Sequence, residues 1–163
     1  MMNNEWKPSH LKQIYIDARG TQWDISELLA SHLPHQIECR SVDDLWDKYK
    51  DRHWWSYNYT GTIHSLAEFI DTPHLRELLS MSCTQLRAKI VFKNTEADHI
   101  YRIAAMIVAI RDMDWQVPPI VIGPDGEIWD GGHRLCALKW LQIPFVTAII
   151  VRNVSLSGEA QAE

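Results

Sequence analysis

Apolar positions in this chain recur with two different periods, and the period changes several times. "QIYIDARG" alternates apolar and polar residues up to Gly20, which predicts a short strand. Asp24 and Glu27 in "DISELLASHL" have the spacing of a capping box, predicting a short helix that Pro34 closes. Ser41 and Asp44 repeat the signal ahead of "LWDKYKD", where Leu45, Trp46 and Tyr49 share one helical face. "DRHWWSYNYTGT" has neither period and is expected to be an ordered loop ending at Gly61. Thr72 followed by Pro73 opens "PHLRELLSM" as a helix with Leu75, Leu78 and Leu79 inward. "AKIVFK" alternates Ala88, Ile90 and Phe92 against Lys89, Val91 and Lys93, predicting a half-buried or edge strand.

The second half of the chain is more regular. Thr95 and Asp98 form a further capping box, followed at helical spacing by Ile100, Ile103, Ala104, Ile107 and Ile110. Ala105, Met106, Val108 and Ala109 widen that face, so the helix should be deeply buried. Pro118 and Pro119 bar its continuation and lead into the β-branched "IVI". "GPDG" turns the chain into "EIWD", which makes a hairpin. "HRLCALKWL" then places Leu135, Leu138 and Leu141 on one helical face, Pro144 ends it, and "FVTAIIV" is the closing strand. The tail, "SLSGEAQAE", is polar enough to be expected frayed or disordered.

Composition narrows the class. A chain of 163 residues, 46% of them hydrophobic, supports one α+β domain with an elaborated N-terminal half. A net charge of -5 and a pI near 5.9 argue against broad phosphate neutralisation of nucleic acid, though not against a local basic groove. The odd cysteine set, Cys39, Cys83 and Cys136, does not resemble a disulfide framework. "MMNNEWKPSH" lacks the form of a signal peptide and no segment approaches the length of a membrane span. The expectation is a cytoplasmic protein with no membrane partner.

The densest chemistry lies in the turn between the hairpin and the following helix. Glycines at 131 and 132 allow close backbone approach, and a helix start offers N–H donors and partial positive charge. Arg134 adds a fork of donors suited to phosphate oxygens, and His133 can donate to a phosphate or shuttle a proton. Gly131, Gly132, His133 and Arg134 are therefore the candidate phosphate-binding set. Asp130 and Glu127 are candidate Mg²⁺ ligands, whereas Asp125 is better read as a turn residue. Trp54 and Trp55 offer either base-stacking surfaces or core packing. His32, His35 and Cys39 lie close in sequence, but Pro34 breaks any shared helical face and they are read as surface residues. No P-loop, dinucleotide fingerprint or serine nucleophile elbow occurs.

From about Lys89 to Val151 the chain resembles the ParB/sulfiredoxin superfamily, through "PPIVIGPDGEIWDGGHRLCAL" followed by "IPFVTAIIV". Gly131, His133, Arg134 and Ala137 fall on the family's turn-helix pattern, "G-x-H/R-R-x-x-A". The resemblance implies a small mixed sheet with flanking helices and a nucleotide-phosphate site at the turn. It divides the chain into an elaboration over 1–85, a nucleotide-binding core over 86–153 and a tail over 154–163. Gly132 stands where chromosome-partitioning members carry glutamate and sulfiredoxins carry cysteine; Cys136 lies beyond the basic pair, which disfavours sulfinic-acid reduction.

The activity so implied is hydrolysis of ATP or another NTP with Mg²⁺, with DNA cleavage known among the family's shorter members. His133, Arg134 and Asp130 would be the catalytic residues. The alternative is a catalytically silent inhibitor of plasmid or phage type that binds DNA or a DNA-transfer or partition protein.

Overall fold

The computed structural model describes residues 14–16, 22–24, 34–54, 64–70, 72–91 and 95–152. It is a mixed α+β structure. The described residues form two compact units: those up to residue 40 with 117–131 and 145–152 in one, and 41–116 with 132–144 in the other.

The first unit is built of strands. β1 (Ile14–Ile16) pairs antiparallel with β2 (Gln22–Asp24), Ile14 opposite Asp24. β3 (His35–Ser41), β6 (Ile120–Ile122), β7 (Ile128–Asp130) and β8 (Phe145–Val151) form a four-stranded sheet in the order β3-β8-β6-β7. β6 runs parallel to β8 and antiparallel to β7, so the sheet is mixed. All three residues of β6 are buried, which is why "IVI" is continuously apolar rather than alternating. The expected hairpin is present: Gly123 N–H donates to the Glu127 carbonyl at 2.8 Å, and Gly126 takes a φ of 79° in the turn. Asp125 accepts the Glu127 amide at 3.0 Å, the local side-chain bond of a turn aspartate.

The second unit is helical. It contains α1 (Val42–Tyr49), a short antiparallel pair β4 (His53–Trp54) and β5 (His64–Ser65), α2 (Leu66–Ile70), α3 (Pro73–Leu78), α4 (Cys83–Lys89), α5 (Glu96–Met113) and α6 (Gly132–Trp140). α5 is its centre, packing against α2, α3, α4 and α6. Ile103, Ala104 and Ile107 are fully enclosed, as the widened apolar face predicts. The N-caps read from the sequence hold: Ser41, Thr72 and Thr95 each accept the backbone N–H three residues on, at 3.2, 3.1 and 3.2 Å.

Several expectations are corrected. Residues 83–89, which include the start of "AKIVFK", are helical, and Ile90 takes an extended backbone as the chain leaves the helix; Phe92 and Lys93 lie outside the described residues. The true signal is Ser82 and Gln85, a reciprocal capping box, with Cys83 and Leu86 buried at helical spacing. "DRHWWSYNYTGT" is not wholly a loop, because His53 and Trp54 pair with Ser65 and His64. β3 and α2 were not expected. Asp24 closes a strand, and the helix expected after it falls in residues 25–33, outside the described residues. The C-terminal tail also lies outside them. Leu79 and Leu141 sit just beyond their helices and are only half-buried.

Candidate functional site

Gly131, with a φ of 110°, brings the chain out of β7, and Gly132 is the first residue of α6. That φ is the left-handed region that a residue with a Cβ resists, so this glycine is required by the backbone itself. The first turn of α6 carries no acidic residue to offset its partial positive charge. His133 and Arg134 follow in that turn, and Arg134 is only 1% exposed.

What α5 places beside His133 could not be read from the motif. His99 Nδ1 lies 2.7 Å from His133 Nε2, with the rings 18° from parallel and their centroids 5.0 Å apart. The Phe69 ring of α2 packs on His99 at 5.0 Å. One residue earlier, the buried Asp98 carboxylate accepts the Val91 amide at 2.8 Å and holds Arg102 Nη2 at 2.9 Å. Arg102 is thus fixed one turn along α5 from Asp98, three residues from His99 and on the same side of the helix. Asp98, His99, Arg102, His133 and Arg134 form a polar cluster where α5 packs on α6.

The electrostatics follow from this packing. Burial pushes the His133 pKa well below the usual histidine value, and Arg102, His99 and Arg134 push it further in the same direction. His133 is therefore neutral at pH 7 and can accept a proton.

The other sequence candidates are placed differently. Asp130 ends β7 opposite Val121, and it belongs with Gly131 to the sheet unit, whereas Gly132, His133 and Arg134 belong to the helical unit. Glu127 lies in the turn, three residues before Asp130. Among the described residues no group of three or more His, Cys, Asp or Glu side chains could hold a metal ion. Trp54 lies in β4, and Trp55 falls outside the described residues. Cys136 is fully buried, its thiol donating to the Leu66 carbonyl at 3.8 Å, and burial pushes its pKa up, so it is not a reactive thiol.

A cleft of about 470 Å³ opens at the opposite end of α6, beside Trp140 and Ile143. Its one lysine, Lys139, is held by Asp43 at 2.8 Å.

Asp98, His99 and Arg102 were missed as site residues. The sequence does show Asp98 and Arg102 at the i, i+4 spacing of a helical ion pair, with His99 adjoining them. None of the family models, curated proteins or solved structures compared with the chain matches it.

Proposed function

We propose that this chain is a nucleotide-binding phosphohydrolase of the ParB/sulfiredoxin kind, acting on ATP or a related triphosphate accompanied by Mg²⁺. The observation that carries the reading is the positively charged surrounding of His133 at the start of α6, made by Arg102 and Arg134. The order strand, D-G hairpin, glycine turn, helix and parallel strand supports it. In this reading the backbone N–H groups of the first turn of α6 bind phosphate oxygens. Arg134 acts from beneath, its charge reaching the phosphates through a poorly polarisable interior rather than through water. His133 orients the phosphate and gives a proton to the leaving phosphate oxygen as general acid.

The test is phosphate release from ATP, CTP and GTP with Mg²⁺, comparing wild type with His133→Gln and Arg134→Lys, each checked for folding by near-UV circular dichroism. A DNA-nicking assay runs on the same preparations. Loss of this acid group should lower turnover by ~10²- to 10⁴-fold. Equal turnover in wild type and His133→Gln would remove this histidine from the chemistry.

A second reading is a catalytically silent protein that binds DNA or a protein partner. The near-complete burial of Arg134 favours it, because so enclosed a guanidinium also suits a purely structural role. Nucleotide or partner affinity without turnover would select this reading.

A further inference from the structure

The contact between His99 and His133 constrains the protons it can hold. A 2.7 Å separation between two imidazole nitrogens requires one N–H facing one lone pair. Two neutral rings satisfy this, and so does one neutral ring with one imidazolium, in which the bond becomes charge-assisted and stronger. Two imidazolium rings do not, because two N–H groups would then face each other. The pair can gain one proton and keep its geometry, but not two.

The surroundings decide whether that one proton is present. Arg102 from α5 and Arg134 from α6 both oppose a further positive charge. The Asp98 carboxylate, which would favour it, is already engaged by Arg102 and the Val91 amide. The charges named as acting on His133 all lower its pKa. From α2, Phe69 presents an uncharged ring and the Glu68 carboxylate accepts the Ser65 amide. The Cys83 thiol of α4 donates to the Ala105 carbonyl, His74 of α3 sits edge-on to Tyr101, and Asp43 of α1 binds Lys139 at the far end of α6. With no anion bound His133 is held neutral. A phosphate arriving at the start of α6 offsets the two arginines and reverses the preference.

We infer that His99 and His133 act as a single one-proton unit, which takes up a proton from solvent when a nucleotide phosphate binds at the start of α6. This rests on the nucleotide reading above and adds a regulation of that site: binding is proton-coupled, and affinity rises as pH falls. His99 is a positioning residue, since it acts through His133. No bond other than those to the transferred proton is made or broken.

The experiment is calorimetric binding of the β,γ-imido analogue of ATP with Mg²⁺ to the whole chain, at neutral pH, in two buffers of very different ionisation enthalpy. The expected result is a buffer-dependent enthalpy equivalent to uptake of up to one proton, with affinity rising by up to about tenfold per pH unit of acidification. Equal enthalpies in the two buffers overturn the coupling while leaving nucleotide binding intact. His99→Gln and His133→Gln should each reduce the uptake to less than half; undiminished uptake in both folded variants assigns the proton elsewhere and overturns the inference. Imidazole ¹⁵N spectra of the unliganded wild type test the pair without nucleotide. Both rings should change together in one step below the usual histidine range, whereas independent titrations at ordinary values overturn the unit. No heat from the analogue in either buffer removes the nucleotide reading and the coupling with it.

Discussion

His133 shows how a single residue carries both packing and chemistry. Its pKa is depressed in the folded protein, so below the ordinary value near 6.5 the unfolded chain binds more protons than the native one. Stability is therefore fully present above that value and is lost as pH falls through it towards the folded pKa. Thermal unfolding followed from pH 8 to pH 5 should show a falling Tm in wild type and a flatter profile in His133→Gln; parallel profiles would mean that His133 titrates normally. Gly123 makes a different residue-scale demand. A Cβ built there would overlap the indole of Trp129, so Gly123→Ala must displace that ring and is expected to cost ~1–3 kcal/mol in urea unfolding, with a shift in tryptophan emission. An unchanged midpoint and emission would show that the strand turn yields without strain. Among the cysteines, Cys39 is exposed while Cys83 and Cys136 are buried, so native alkylation should label one site and denatured alkylation three.

The same scale shows what the sequence could disclose. Gly131, His133 and Arg134 were legible because they are adjacent and their chemistry is local. His99 was not, because its partner lies 34 residues away and only the packing of α5 on α6 brings the rings together.

At the scale of elements, the helix starts were the most legible features, since a cap is written in three or four consecutive residues. Ser41, Thr72 and Thr95 each do what their spacing implies. The same rule applied at Ser82 would have overruled the apparent alternation in "AKIVFK": the helix Cys83–Lys89 buries Cys83 and Leu86, and Ala88 faces solvent. Ser82→Ala should therefore destabilise the protein by ~1 kcal/mol, read from chemical denaturation, whereas a strand there would make the change neutral. β3 was missed for a physical reason. Its exposed and half-buried residues do not alternate, and it lies at the edge of the sheet, so it lacks the period-two pattern by which strands are recognised.

At the scale of the whole molecule, the sheet unit and the helical unit are each assembled from separate segments, and the chain passes between them after residues 40, 116, 131 and 144. Interleaving of this kind leaves no linker, which is why composition changes only gradually along the sequence. Net charge was a poor guide to the site for a related reason. The chain carries -5 overall, yet Arg102 and Arg134 surround His133 with positive charge. Nucleotide affinity should still fall as salt is raised, though less steeply than for exposed charges because Arg134 is enclosed.

The most direct test of the central claim is a titration of ¹⁵N-labelled protein with ATP and Mg²⁺, followed through backbone amide and imidazole resonances. Saturable shifts centred on Gly132, His133 and Arg134 are expected, with the His99 ring responding alongside. Shifts that never saturate, or that saturate while these residues stay unmoved, would contradict it.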